Sequence, residues 1–223
     1  MRRYIALFSM VLPWPLRRAI LRRFLGYEIS DTSRIGLSWI YPKKLVMKAG
    51  ARIGHLTICK EIDLLEMAES TVIGNLDWIT GYPSGKSAMG HFEHQAGRRP
   101  ELILGPHAAI TNRHFIDCTE YIHVGAFASV AGFASQLMTH SINIEKGRQE
   151  SYPITIGAYC FVSTNCVLLG GSALPDYCVL GAKSLLNKAQ TEKYFLYGGV
   201  PAKPIKALPP TSGYFTRQSG YVI

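Results

Sequence analysis

The residues of this chain with side chains able to do chemistry are seven histidines, five cysteines and one glycine-bounded lysine-serine run. The histidines stand at 55, 91, 94, 107, 114, 123 and 140, and an imidazole near neutral pH can accept a proton or ligate a metal. The cysteines are odd in number and lack a C-x-x-C with a matching second pair. That argues against a disulfide framework or a zinc finger and for reduced thiols. The run Gly81-Tyr82-Pro83-Ser84-Gly85-Lys86-Ser87 is one residue short of a phosphate-binding loop. No helical pattern follows it, so it reads as a flexible loop. His91 and His94 fall in a polar, glycine-rich stretch, 80–101, and His140 in a second irregular stretch, 137–153. What they do depends on the elements that carry them.

Those elements announce themselves by a period of six. Steps of six from Ile156 give Val162, Leu168, Leu174, Leu180 and Leu186, and the same step runs through Ile35, Tyr41, Met47 and Ile53 and through Leu104, Ile110, Ile116 and Ile122. Neither a helix nor a two-sided strand has this period. A six-residue unit with one inward aliphatic side chain makes one flat face of a triangular coil, and three units make an 18-residue turn whose neighbours pair as parallel strands. Glycines beside the repeat residue, as at 36, 54, 105, 157 and 181, let the backbone bend at the corners. At Ile116 the step drifts, continuing at Val124 rather than Ile122. Cys160 and Cys178, 18 apart, stack on adjacent coils. The expected fold is all-β: a left-handed parallel β-helix of hexapeptide repeats, an exception to the usual right-handed crossover, with a short N-terminal helix and a C-terminal tail. Residues 1–34 read as an amphipathic helical segment, 35–190 as the β-helix, and 191–223 as a C-terminal segment and tail. Stretches 80–101 and 137–153 are loops thrown out of the coil, and such insertions carry function.

The net charge of +9 sits at the two ends. Residues 1–30 hold six Arg and one Glu, 31–182 hold 12 basic and 13 acidic residues, and 183–223 hold six basic and one acidic. The neutral middle speaks against nucleic acid. Near the N-terminus, Pro15 suits the first helical position and Gly26 the C-terminal cap. Leu16, Ile20 and Phe24 form one stripe, with Arg17, Arg18, Arg22 and Arg23 off it. The apolar run Tyr4–Leu16 is too short to span a membrane and lacks a small-residue cleavage site. Residues 1–26 are expected to cap the coil, to touch anionic lipid, or both.

The segments Thr139-His140-Ser141, Pro153-Ile154-Thr155-Ile156-Gly157, Leu180–Lys188 and Gly198–Lys206 resemble the hexapeptide-repeat acyltransferases, in particular the branch of sugar O-acetyltransferases that includes the maltose, galactoside and exopolysaccharide enzymes. The resemblance covers most of 104–208. It implies O-acetyl transfer from acetyl-CoA to a sugar or polysaccharide-precursor hydroxyl, with His140 as general base, no acyl-enzyme and no metal. It further implies that Ala131 and Thr164 line the pantetheine arm, that Ala182, Asn187 and Lys188 meet it from the last coil, and that Lys203 and Lys206 face the phosphorylated adenosine. On the acceptor side it points to Asn112, His114 and Asp117, with Glu145 or a backbone carbonyl orienting the His140 ring. A homotrimer with each site between two subunits, in the cytoplasm and peripheral to the inner membrane face, follows from the same resemblance. The alternatives are acetyl transfer to serine or an antibiotic and a non-catalytic β-helix scaffold. A carbonic anhydrase of this fold is disfavoured, because the histidines lack an H-x4-H pair.

Overall fold

The computed structural model describes residues 1–85 and 90–222; Lys86 and Ser87 of the lysine-serine run lie outside the described residues. Helices α1 (Arg2–Phe8) and α2 (Trp14–Leu25), joined through a 3-10 turn at Ser9–Val11, precede a left-handed parallel β-helix. Its three faces are sheets of seven, nine and seven short strands. One circuit runs from Ile154–Ile156 on the first face to Phe161–Val162 on the second and Val167–Leu169 on the third, then returns to the first at Ala173–Leu174. Strands on a face pair in parallel with the coils above and below, except where Lys203–Ala207 folds back antiparallel on Phe195–Gly198. Three inward columns form the core: Met47, Met67, Leu104, Val124, Ile156 and Leu174; Ile53, Ile73, Ile110, Val130, Val162 and Leu180; Cys59, Ile79, Ile116, Leu137, Leu168 and Leu186. Stacked at about 4.8 Å per coil, these side chains bury one another continuously. All five cysteines are buried free thiols.

The coils depart from the simple period in two ways. An 18-residue turn holds from Ile156 to Leu174, but Met67 pairs with Met47, 20 residues earlier. The two extra residues lie at the corner from the third face to the first, so both Ile122 and Val124 point inward. In the first coil Ile40, not Tyr41, is the buried residue of Trp39–Tyr41. The β-helix also extends beyond 35–190: Glu28–Ile29 already pairs with Val46 and Met47, and Phe195–Gly198 continues the second face. These end strands are too few and too short to establish a period by themselves.

The repeat glycines serve close approach rather than bending. A Cβ on Gly54 would lie 2.6 Å from the Gly74 carbonyl oxygen, and one on Gly157 2.4 Å from the Asp176 nitrogen, closer than packed atoms tolerate. The left-handed corner residues come two positions further on. They include Leu56, Leu76, Asn165 and Lys183 on one edge, and His107, Phe127, Tyr159, Tyr177 and Tyr194 on another. A left-handed L-residue costs about 1 kcal/mol. On the second edge the rings stack at centroid separations of 4.6, 4.7, 5.3 and 4.8 Å, which offsets a comparable amount. The C-terminal tail covers this column: Phe215 meets Tyr177 and Tyr194 edge-on, and the Arg217 guanidinium lies 3.8 Å from the Tyr214 ring centroid.

The N-terminal helices close the open end. Each coil donates its N–H groups to the next one, so the first coil has carbonyls without a partner coil. Arg17, 3% exposed, supplies donors to Gly36 O and Ser38 O, both at 2.6 Å. Burial lowers its pKa to about 10. Arg22 Nε donates to Ile29 O at 2.8 Å, and Arg18 donates to Asp31 O. The helix meets the first coil through Arg17, Leu21 and Leu25, whereas Leu16 and Phe24 of the apolar stripe are exposed.

Candidate active site

Both insertions leave the same corner, from the third face to the first. Residues 81–100 connect Trp78–Thr80 to Glu101–Leu104, and residues 139–153 connect Gln136–Met138 to Ile154–Ile156. Because coils stack in register, insertions from one corner emerge side by side. The second is a hairpin of His140–Asn143 and Arg148–Ser151. Its buried Glu150 accepts from Asn143 Nδ2 at 2.9 Å and the Tyr152 hydroxyl at 2.8 Å, bonds that hold its carboxyl down at about 2, and Lys146 and Arg148 add to them. Gln95 of the first insertion clamps the two: its Nε2 donates to Ser151 O and its Oε1 accepts from Ser151 N, each at 2.9 Å.

His140 stands where the hairpin begins. Its Nδ1 lies 2.7 Å from Asp117 Oδ2. That carboxylate, on the buried end of Phe115–Asp117, also accepts from the backbone N–H groups of Thr139 and His140 at 3.0 and 3.1 Å, the Thr139 hydroxyl at 2.9 Å and the Thr119 hydroxyl at 2.6 Å. Burial alone would raise the Asp117 pKa; the hydrogen bonds from His140 and Thr119 outweigh it and hold the carboxyl below its ordinary value. An ionised Asp117 therefore takes the Nδ1 proton of His140 in a hydrogen bond and leaves Nε2 with its lone pair. Nε2 has no hydrogen-bond partner among the described residues. The imidazole lines a cleft of about 410 Å³ with Glu61, Thr80, Gly81, Tyr82 and Pro83. Tyr82 and Phe92 meet the ring edge-on at 5.8 and 6.1 Å, and Arg98 fastens their loop by donating to Tyr82 O and Thr119 O. The arrangement can remove a proton from a hydroxyl held beside an apolar wall.

The other expected site residues divide into two groups. The three assigned to the acceptor do not form a binding cluster. Asp117 is spent on His140. His114 is fully buried, accepting from Ser135 N at 3.2 Å through Nδ1 and facing the Thr111 hydroxyl at 3.1 Å through Nε2; burial lowers its pKa to about 4. Asn112 lies on another edge, accepting from Asn75 N and Nδ2 at 2.8 and 2.9 Å. Glu145 is exposed and makes no bond to His140. In the second group, Ala131, Thr164 and Ala182 follow one another on successive coils at the corner from the second face to the third. Asn187 and Lys188 follow the last third-face strand, and Lys203 and Lys206 are exposed on Lys203–Ala207. His140 is at the opposite edge of the third face, so one chain does not unite it with this column. Tyr82, Phe92, Gln95, Arg98 and Glu61 were not singled out from the sequence; only the position of the first four in an extruded loop pointed their way.

Among the described residues no cluster of three or more His, Cys, Asp or Glu could hold a metal ion. The fold is the left-handed β-helix architecture found in hexapeptide-repeat acetyltransferases of known structure. No protein-family model matches the chain, and no curated protein matches it. Solved structures do. The polysialic acid O-acetyltransferase OatWY superposes with a TM-score of 0.59 at 16% identity, over 86% of this chain and 90% of that one. The hexapeptide-repeat acetyltransferase VCA0836 from Vibrio cholerae gives 0.50 at 16% identity, over 92% and 88%.

Proposed function

We propose that this protein is an O-acetyltransferase that moves the acetyl group of acetyl-CoA to a hydroxyl of a sugar or polysaccharide precursor. The observation that carries this reading is the 2.7 Å contact of Asp117 with His140 Nδ1 beside an open cleft. A hydroxyl is a weak nucleophile, and a general base is what it lacks. His140 Nε2 takes the hydroxyl proton as the oxygen attacks the thioester carbonyl, and Asp117 stabilises the imidazolium that forms. The tetrahedral intermediate collapses with cleavage of the C–S bond, and the imidazolium returns the proton to the departing thiolate. Donors for the oxyanion are backbone N–H groups of a coil. No acyl-enzyme is needed.

The acceptor class rests on the likeness in fold to an O-acetyltransferase of polysialic acid and on the Tyr82 ring that lines the cleft, a surface suited to a sugar ring, with buried Phe92 packed behind it. The separation of His140 from the Ala131, Thr164 and Ala182 column supports a homotrimer in which one subunit's base faces its neighbour's cofactor edge. A cytoplasmic location, where acetyl-CoA is at hand, fits this reading. The test is free-thiol release from acetyl-CoA against sugars, nucleotide sugars and lipid-linked oligosaccharides. The reading predicts turnover with a glycan and its loss in His140→Ala; a folded His140→Ala variant of full activity would sink it. Lys203→Glu with Lys206→Glu should raise the apparent KM for acetyl-CoA far more than that for the acceptor, and equal rises would reject the cofactor assignment.

A further inference from the structure

Helix α2 carries apolar side chains on two sides: Leu21 and Leu25 face the first coil, and a second stripe faces away from it. Arg17 is buried on the first coil's carbonyls, and Arg18 and Arg22 are drawn to Asp31 and the backbone beside it. The stripe of Leu16, Ile20 and Phe24 is left facing away from the protein. Exposure reaches 63% at Phe24, 72% at Phe8 and 82% at Val11. Side chains of α1 and α2 frame a groove of about 430 Å³ that is almost wholly apolar, with Tyr4, Phe8, Leu12, Ile20 and Phe24 among its lining residues. The inward place of Arg17 has a cause within the fold, since the terminal coil needs donors for its carbonyls. It leaves an apolar face that no described residue covers.

The rim of that face is cationic. Arg3 lies 4.8 Å from the Tyr4 ring centroid and Arg23 5.9 Å from that of Phe24, and neither has a carboxylate partner among the described residues. Residues 1–27 contain six Arg and no Asp or Glu. On the other side of Leu12, a cleft of about 510 Å³ includes Arg34 and Arg52. These two sit directly opposite each other on adjacent coils, again without a carboxylate partner among the described residues. Like charges facing each other on a sheet are unfavourable, and an anionic surface relieves them. A second copy packing through the same face would bring arginines against arginines. No described helix is long and apolar enough to cross a membrane, which leaves a surface-lying mode of attachment for these helices.

We propose that α1 and α2 dock this protein on an anionic lipid bilayer, with Phe8, Val11, Leu16 and Phe24 entering the headgroup–acyl boundary and Arg3 and Arg23 facing lipid phosphates. Aromatic and aliphatic side chains on one face, with arginines at the edge, is the pattern of an interfacial helix. The proposal stands whether or not the acetyltransferase reading does.

The test is co-sedimentation of the full chain with vesicles of phosphatidylglycerol and phosphatidylcholine, compared with phosphatidylcholine alone. The wild type is expected to pellet with the anionic vesicles and about tenfold less with the neutral ones. Phe8→Glu with Phe24→Glu should abolish pelleting at every salt concentration, and Arg3→Glu with Arg23→Glu should weaken it most at low salt. Both pairs are exposed, so the β-sheet circular dichroism and the melting temperature should match the wild type. A folded wild type that ignores anionic vesicles, or a phenylalanine variant that binds them equally, overturns the proposal. So does a fall in oligomer size of the phenylalanine variant in sedimentation velocity, which would make the face a contact between copies.

Discussion

The third face of the β-helix carries an aspartate and a histidine at each of its two edges, and the two pairs behave oppositely. At one edge Asp117 receives His140, Thr139 and Thr119 and is held ionised beside an open cleft. At the other, Asp77 accepts one bond, from His114 N at 2.8 Å, and its Oδ2 has no partner. Burial raises its pKa to about 7, just as it lowers that of His114 to about 4. Asp77 and His114 belong to a column inside that corner in which each side chain accepts the N–H of the next coil: Ser38 from Thr57, Thr57 from Asp77, Asp77 from His114, His114 from Ser135, Ser135 from Cys166. Ser38 and Thr57 also donate their hydroxyls to a carbonyl, and a protonated Asp77 presents a hydroxyl at the same place in the column. Residue type alone does not separate the two edges. What separates them is the number of donors converging on the carboxylate and whether the imidazole reaches solvent.

The largest expected effect is at the cleft edge. Asp117→Asn removes the charge that fixes the His140 tautomer, and kcat should fall by about 10²–10⁴, ~3–5 kcal/mol of barrier, with the melting temperature much less affected. A folded variant with near wild-type kcat would dissolve the distinction between the edges. Next comes His114→Ala, which strands the Ser135 N–H and should destabilise by about 3 kcal/mol in chemical denaturation, while kcat per folded molecule stays unchanged. A selective loss of kcat would move His114 into the site.

The smallest effect in the wild type is the pH dependence at the closed edge, where two contributions oppose each other. Asp77 has a folded pKa of about 7 against about 3.9 unfolded, so its contribution is full below about pH 4 and is lost as pH rises through 7. His114, at about 4 folded against about 6.5 unfolded, contributes above pH 6.5, and that contribution is lost as pH falls toward 4. The two slopes oppose each other in the wild type. Asp77→Asn removes the first, so it should be more stable than wild type at pH 8 by up to a few kcal/mol, with the advantage vanishing near pH 4. Melting curves of both proteins across that range check this; a pH-independent difference would show that Asp77 does not change its protonation on folding.

Much of the architecture could be read directly. Ile156 to Leu186 at steps of six specified stacked coils, because a side chain that recurs once per flat face has no other way to be buried. The extruded stretches and His140 were legible for the same reason: they break the period. The partner of His140 was not. Asp117 and His140 are 23 residues apart, and their contact depends on a lengthened coil and on a hairpin start that turns back over the preceding turn. The resemblance put Asn112 and His114 beside Asp117 on the acceptor side, all three within six residues, but at this point the chain rounds a corner and runs across a face. Neighbours in sequence thus end on different edges.

By itself, the sequence determined the β-helix core, the limits of α2 through Pro15 and Gly26, the concentration of charge at the ends, and the histidine that begins the second insertion. These are local or strictly periodic properties, and a period survives without knowledge of what packs on what. Only the tertiary structure decided which carboxylate holds that histidine, which aspartate burial pushes up to about 7, and which way α2 faces. Each of those depends on hydrogen-bond donors brought from another coil or helix, and the supply of donors at a given carbonyl or carboxylate exists only after the coils have stacked.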